Sequence, residues 1–487
     1  MLSRVAAVMA PRTHNRRRVT GSSGRRREGR ESEPQRRNMS RHLFYSAVLL
    51  LLVVISCCNA GGAAQAEEQA SERNYKWKDV KNEKDEGVTV ESLVVPGLLN
   101  VGSDVFAVAE AQWKKNSESN AFTGIASQLL TTQNADTPVE VLKGAEDKTQ
   151  FLEEATSADP KNKVDVSRPT TVVKGNVIYM LVGKYSPKDA TGQEDGGAND
   201  GGLLLVKGEV SADESKRIKW KDNDDVSRIS VGELDSWTGL IGGGGSGVLT
   251  DDGRLMFPVE GTKKGDTEND VKTVSLIIHN SKDTNEGWKL SKEVPYDGCS
   301  DPSVVEWGEK DKKLIMMTAC GDGRRRVYES ADKGESWTEA LGTLSRVWGN
   351  KQGEGAKAVR SGFITAKIGG VDNRNVMLVT LPVYPEKDGK KENGELHLWL
   401  TDNTHIVDIG PVSCEDDAAA SSLLYKSAGS GDNKEELIAL YEKKKDYGKP
   451  SLGMVCASDC AAAACEGCAG DVEGSGRPCL QAVPLKC

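Results

Sequence analysis

Two copies of one short pattern constrain this chain more than anything else in it. Ser330-Ala-Asp332-Lys-Gly334-Glu-Ser-Trp337 fits S-x-D-x-G-x-x-W at every defined position. Ser281-Lys-Asp283-Thr-Asn285-Glu-Gly-Trp288 fits it with Asn in the Gly position, and Asn tolerates a left-handed backbone. Each copy follows a β-type run, Val274–His279 and Arg326–Glu329. In such an Asp box the Ser and Asp side chains bond the turn's own backbone, Gly takes a positive φ, and Trp packs into the sheet. The two Asp residues are 49 positions apart, the repeat expected of a four-stranded propeller blade. The box is scaffold and does no chemistry.

The rest of the body agrees. From about Glu91 to Val455, short β-type runs alternate with turn residues. Thr170–Val173 and Val177–Val182 flank Lys174-Gly175-Asn176 as a hairpin, and Val248–Thr250 and Arg254–Pro258 flank Asp251-Asp252-Gly253. Val304–Trp307 with Leu314–Thr318, and Val376–Leu381, continue the series. Helical periodicity is confined to a weak stretch over Val139–Glu154. Strands recurring without amphipathic helices between them predict antiparallel sheets, an all-β fold and no βαβ crossover.

Charge divides the chain. Residues 1–41 hold 12 Arg and 3 Glu, a charge of +9, which leaves −18 on the remainder. An acidic body of that size repels phosphate backbones, so no nucleic-acid partner is expected. After Arg41 comes the apolar run Leu43–Ser56, followed by small residues with cleavage candidates at Ala64-Gln65-Ala66 and Cys58-Asn59-Ala60. That order describes a signal peptide too short to span a bilayer, with Met39 as a candidate start. Residues 1–66 are therefore expected to be leader and signal, and residues 67–455 an exported domain. No transmembrane segment is expected in the mature chain, nor the hydrophobic tail of a glycolipid anchor signal.

Of 11 Cys, only Cys299, Cys320 and Cys414 lie in the body, and six crowd into residues 456–487. The body is expected to fold on its hydrophobic core without disulfide staples. Past Val455 the β pattern gives way to an Ala/Gly/Cys-rich tail, 456–487, expected to lack a fixed fold. Its spacing, Cys456-x3-Cys460-x4-Cys465-x2-Cys468, leaves open a frameshifted end or a metal or disulfide module. Gly242–Gly245 resembles a phosphate loop, but no Lys-Ser/Thr follows, so it reads as a turn. Five scattered His predict no metal site, and no cofactor is expected.

Further segments carry a resemblance. Gly298-Cys-Ser-Asp-Pro-Ser-Val-Val-Glu-Trp307, Gly323-Arg-Arg-Arg-Val-Tyr-Glu-Ser330, Thr338-Glu-Ala-Leu-Gly-Thr-Leu-Ser-Arg-Val-Trp348, Ser167-Arg-Pro-Thr-Thr-Val-Val-Lys-Gly175 and Leu396-His-Leu-Trp-Leu-Thr-Asp-Asn403 closely resemble the trypanosomal trans-sialidase superfamily. The resemblance implies a six-bladed β-propeller whose central pocket, in active members, removes or transfers α2,3-linked sialic acid. It also implies further propeller strands, a lectin-like β-sandwich and an anchor signal beyond Val455, which this sequence does not match.

That chemistry needs three arginines to clamp the carboxylate, a Tyr nucleophile activated by Glu, and a carboxylic acid for the leaving oxygen. By the resemblance, Val94 in Ser92-Leu-Val-Val-Pro96 replaces the first clamp arginine, and Gln112 replaces a further pocket arginine. Ala319 in Met317-Thr318-Ala319 and Asn393 in Lys391-Glu-Asn-Gly-Glu395 replace the second and third. Arg324, Arg325 and Arg326 lie across the turn and are not expected to restore the second. The acid falls at Glu118 or Ser119, the activating Glu at Asp301, and Ala420 before Ser421-Ser422-Leu-Leu-Tyr425 replaces the nucleophile. Tyr425 reads as strand packing. Losing a bidentate arginine costs on the order of 2–5 kcal/mol, and losing Tyr removes the covalent route. The expectation is a secreted or surface adhesin or decoy that binds host glycoconjugates or matrix without turnover. A residual exo-α-sialidase and a non-functional truncated product are the alternatives.

Overall fold

The computed structural model describes residues 74–458 apart from 117–119, 132–137, 156–161, 186–201, 232–236, 266–270, 281–286, 297, 341–342, 349–358, 369–373, 385, 388–389, 392–393, 414–415, 428–434 and 445–452. The basic leader, the apolar run after it and the cysteines beyond Ser458 lie outside the described residues.

Within them the strands make six antiparallel blades, numbered here in chain order. Blade 1 runs outward from Val88–Val101 through Asp104–Lys115 and Phe122–Leu130 to Thr149–Ala155, with Asn74–Asp79 on its edge. Blade 2 is Thr170–Lys174, Val177–Tyr185 and Gly202–Val210, edged by Ile218–Trp220 and Val226–Arg228. Blade 3 has an interrupted inner strand (Gly239–Gly242, Gly245–Ser246, Val248–Leu249), then Leu255–Lys264, Val271–Asn280 and Trp288–Leu290. Leu240 and Ile241 also pair with Tyr185 and Lys184 and so join blades 2 and 3 into one sheet, and Gly245–Ser246 pairs in parallel with Thr170–Thr171. Blade 4 is Cys299–Trp307, Lys313–Cys320, Arg325–Ser330 and Thr338–Glu339. Blade 5 is Phe363–Ile368, Arg374–Val383, Glu395–Thr401 and Ile406–Pro411.

Blade 6 closes the ring. Its strands Ala418–Lys426, Glu436–Lys443 and Gly453–Ser458 are completed by Val139–Val141, which belongs in sequence between two strands of blade 1. The pairs are Met454 with Val141, Val455 with Glu140 and Cys456 with Val139. Two expectations change here. The last propeller strand is present and runs three residues past Val455. The stretch Val139–Glu154 is not helical: a single 3-10 turn, Ala145–Asp147, separates two strands, with Gly144 at φ 63 in the bend. Val139 and Val141 are β-branched and find a partner strand only through the C-terminal end of the domain.

Each blade is covered on both faces, so middle strands such as Lys313–Cys320 are buried almost throughout. The core is accordingly a set of six inter-blade layers. Leu99, Phe106, Met180 and Leu204 fill the space between blades 1 and 2, and Leu181, Phe257 and Leu276 that between 2 and 3. Met256, Val304 and Tyr328 join 3 to 4, Ile315 and Met377 join 4 to 5, and Leu378 and Leu423 join 5 to 6. Ile438, Leu440 and Met454 pack on Leu93, Ala107 and Trp113 to seal 6 against 1.

The complete Asp box behaves as its pattern requires. Ser330 Oγ donates to Asp332 Oδ1 (2.7 Å) and accepts from the Gly334 N–H (2.8 Å), while the Ser336 N–H donates to Asp332 Oδ1 (2.9 Å). These donors, Ser336 foremost, hold the Asp332 carboxyl down at about 2. Gly334 sits at φ 96, where a Cβ would lie 2.6 Å from Ser291 Cβ. Trp337 is buried in the layer between blades 3 and 4, its Nε1–H donating to Lys292 O (3.0 Å). Of the second box, Ser281, Asp283 and Asn285 lie outside the described residues. Its Trp288 is half-buried against Phe257, 5.9 Å between ring centroids.

The body also carries a staple that cysteine counting did not anticipate. Cys299 and Cys320 face each other across the first two strands of blade 4 and form a disulfide. They are 21 residues apart in sequence, and only the hairpin register makes them neighbours.

Replacing Trp337 with Ala should lower unfolding free energy by about 3–5 kcal/mol, and Trp288→Ala by less, as measured by denaturant titration. A chain stopped at Leu452 should melt about five degrees or more lower by circular dichroism. It loses buried Met454 and Val455, each contributing about 1.5–3 kcal/mol, and leaves Val139–Val141 unpaired.

Candidate functional site: the axial cavity

At one mouth of the ring the entry points of the innermost strands converge. In three blades the innermost strand, or the chain just before it, presents to the cavity a residue followed by proline: Val95-Pro96, Arg168-Pro169 and Asp301-Pro302. Proline narrows the backbone choices of the residue before it. All three adopt positive φ, at 57, 54 and 49°, a region sparsely used by non-glycine residues and least by β-branched ones. Strand register slips beside two of them, between Val94 and Gly97 and between Ser300 and Ser303. A bulge of this kind re-aims a side chain, and here it turns Val95 and Asp301 onto the axis. Strain of about 1–3 kcal/mol per residue is typical where a scaffold over-determines a site.

The cavity they enclose has a volume of about 440 Å³. Three carboxylates line it, Glu110, Asp301 and Glu442, together with two guanidinium groups, Arg168 and Arg360. Both arginines are committed to the scaffold. Arg168 Nη2 donates to Asp301 Oδ1 (2.9 Å) and stands 3.6 Å from Glu260, and its Nε donates to Gly242 O (3.0 Å). Arg360 is buried, its Nη1 donating to Gly243 O (2.8 Å) and Pro302 O (2.9 Å) and its Nη2 to Ser246 O (3.3 Å). Burial pulls the Arg360 guanidinium down to about 9. The glycine run makes room for these groups: a Cβ on Gly245 would lie 2.5 Å from Arg360 Nε.

The carboxylates are held by backbone donors. Glu442 Oε1 accepts from the Val95 N–H (2.8 Å), Glu110 Oε2 from the Arg168 N–H (2.8 Å), and Glu260 from the Asp301 N–H (3.3 Å). Burial pushes the Glu442 carboxyl up to about 7, with a further push from the Asp301 charge. Burial likewise raises Glu110 and Glu260. A carboxylate-rich cavity with committed arginines favours neutral or cationic groups and disfavours an anion.

The residues singled out from the sequence distribute unevenly. Val94, Asp301 and Ala420 line the cavity. Gln112 stands one strand outward, its Oε1 accepting from Ser92 Oγ (3.0 Å). Ala319 is buried in its strand opposite Ser300 and Arg325 and is not part of the cavity wall. Glu118, Ser119 and Asn393 lie outside the described residues. Tyr425 is away from the cavity, its hydroxyl donating to Lys367 O (3.0 Å).

The arginine run across the turn splits three ways. Arg324 is exposed and Arg326 stacks on Tyr296, 3.7 Å from its centroid. Arg325 is buried directly opposite Ala319, donating to Ser361 Oγ (2.9 Å) and Val359 O (3.0 Å). It returns toward the axis but is spent on the cavity's outer wall. Arg168, Glu110, Glu442 and Arg360 went unassigned in the sequence. A signal for Arg168 existed in the repeated residue-Pro entry, whereas the other three have no local pattern.

Comparison with known proteins agrees with this architecture. A family model described as a BNR repeat-like domain matches residues 95–442. A sialidase of Trypanosoma cruzi is 32% identical over 70% of this chain and 27% of its own length. Sialidase 85-1.1 of the same organism is 30% identical over 70% of this chain and 45% of its own. The chain thus spans less than half of either relative. Among solved structures, Trypanosoma rangeli sialidase in complex with sialic acid superposes with a TM-score of 0.54 at 28% identity, covering 76% of this chain and 54% of that one.

Glu442→Gln provides a test of the cavity's electrostatics. A carboxyl raised from 4.5 to about 7 costs nothing below the lower value. Between the two values the unfolded chain is ionised and the folded one is not, so stability falls as pH rises, then levels off. The substitution should therefore leave stability unchanged near pH 4 and raise it above pH 7, by about 3 kcal/mol at most, in denaturant titrations at both pH values.

Proposed function

We propose that this chain, which belongs to the sialidase and trans-sialidase superfamily of BNR-repeat proteins, binds its targets without cleaving them. One observation carries the reading. Where the resemblance places a clamp arginine and the tyrosine nucleophile, Val94 and Ala420 line the cavity, and the two arginines present are bonded to Asp301 and to backbone carbonyls. An incoming carboxylate would find no uncommitted guanidinium in the described wall and would face Glu110, Asp301 and Glu442. A covalent intermediate would have no tyrosine there to form on.

The target class follows from location and shape. A Cys299–Cys320 disulfide supports an oxidising compartment, in keeping with residues 1–66 acting as leader and signal and with export of the domain. No helix among the described residues is long and apolar enough to cross a membrane. Loops on a rigid ring are where recognition resides, and the proposed partners are host-cell glycoconjugates or extracellular matrix. The closed ring supports a folded product over a non-functional fragment. A residual exo-α-sialidase has one observation in its favour: Glu442, raised to about 7, could donate a proton at neutral pH.

Two measurements decide between these readings. Exported protein given a fluorogenic sialoside, or sialyllactose with an acceptor, should release and transfer nothing above buffer. Turnover within about a hundredfold of an active relative, a barrier difference of about 3 kcal/mol, would overturn the reading. Its binding to cells and matrix should survive enzymatic desialylation, and loss of binding would return the axial cavity to sialoside recognition.

A further inference from the structure

A second cavity lies apart from the axial one. It has a volume of about 650 Å³ and opens among the innermost strands of blades 3, 4 and 5 at their C-terminal ends. The axial cavity uses the opposite ends of the same strands. Blade 4 contributes Asp301 to one and Glu306 to the other, five residues or roughly 16 Å apart along a strand. We propose that this second cavity is a binding site for a neutral saccharide.

Its walls combine two kinds of surface. Val248, Trp307 and Ile364 supply apolar area, and Trp307 is only half-buried, packed against the apolar layer between blades 4 and 5 while also lining the cavity. A flat aromatic face left partly open matches the C–H face of a pyranose ring. Around it stand polar groups already fixed in place. Glu306 Oε2 accepts from the Asp251 N–H (3.0 Å), Glu309 Oε1 accepts from Asn375 Nδ2 (3.0 Å), and Lys312 pairs with Asp251 Oδ2 (2.9 Å). A carboxylate engaged through one oxygen retains acceptor capacity on the other, and the Asn375 amide keeps its carbonyl. Groups oriented before the ligand arrives lose little freedom on binding it.

The charge balance selects the ligand class. Three carboxylates, Asp251, Glu306 and Glu309, stand with two ammonium groups, Lys312 and Lys367. An anion would meet the carboxylates and a polycation the ammonium groups, while a polyol can donate to the first and accept from the second. The free edges of the innermost strands of blades 4 and 5, each paired on its outer side only, add backbone donors and acceptors facing the channel. The volume lies inside the range of roughly 300–1,000 Å³ typical of small-ligand sites. The inference stands apart from the reading of the axial cavity, since a chain that cleaved sialosides there would retain this second site.

The test uses the exported protein and five probes, followed by isothermal titration and saturation-transfer NMR. Lactose, N-acetyllactosamine and maltotriose are neutral, spermidine is cationic and 3′-sialyllactose anionic. At least one neutral probe should bind saturably and more tightly than spermidine, and Glu306→Gln with Glu309→Gln should weaken it about tenfold or more. Trp307→Phe, which keeps a ring for packing, should retain binding, and Trp307→Ala in a protein with unchanged circular dichroism should lose it. Val94→Arg, in the axial cavity, should leave it unaffected. Absence of saturation by every neutral probe, tighter binding of spermidine, indifference to the paired Gln substitutions, or loss on Val94→Arg would each overturn the proposal.

Discussion

Each of the six blades has two apolar faces, and among the described residues a face is covered chiefly by the next blade. Among the described residues the α-helix is the one turn and a half at Thr343–Trp348, beside short 3-10 segments such as Val80–Glu86 and Ala145–Asp147. Sheets packed face to face in sequence leave the first and last exposed unless the row bends into a ring. The six layers running from Leu99 and Phe106 round to Ile438 and Met454 are the result. The Asp box serves the same end: it bends the chain tightly enough to drop Trp337 into one of those layers.

Closing the ring also makes the site. The innermost strands converge around one axis, and on three blades the bend there places Val95, Arg168 and Asp301 in conformations that a free chain would rarely adopt. What occupies the axis is then decided by a few entry residues, while the blades stay as they are. Here the charges at the axis are mostly satisfied by one another and by backbone, so the arrangement acts as a polar plug joining blades 2, 3, 4 and 5. Removing one member of such a network leaves its partner charged and buried, so its members hold each other in place.

The legible part of the fold was the local part. Hairpins such as Thr170–Lys174 with Val177–Tyr185 announce themselves through alternation around a turn, and the box fixes the repeat length. Val139–Val141 could not be read because its partner, Met454–Cys456, is remote, and three residues carry too little periodicity to favour a strand. The Cys299–Cys320 pair was missed because composition alone cannot reveal a cross-strand register. At the cavity, Val94, Asp301 and Ala420 were reachable through the resemblance. Glu110, Glu442 and Arg360 come from second strands or from connections between blades, where only the assembled ring gives them a common neighbour.

Closure by Val139–Val141 has a consequence for how the protein is made. A chain synthesised from its N-terminus produces this segment early and its partner strand last. Roughly three hundred residues separate them, about 15–60 s at ordinary elongation rates. During that interval the apolar face of blade 1 that carries Leu93, Ala107 and Trp113 has no cover. An open β edge beside it can pair with the wrong chain. Contacts this distant in sequence also slow the final search. The nascent protein therefore spends its most vulnerable minute as an unclosed arc, and its yield will depend on whatever shields that arc until the last strand arrives.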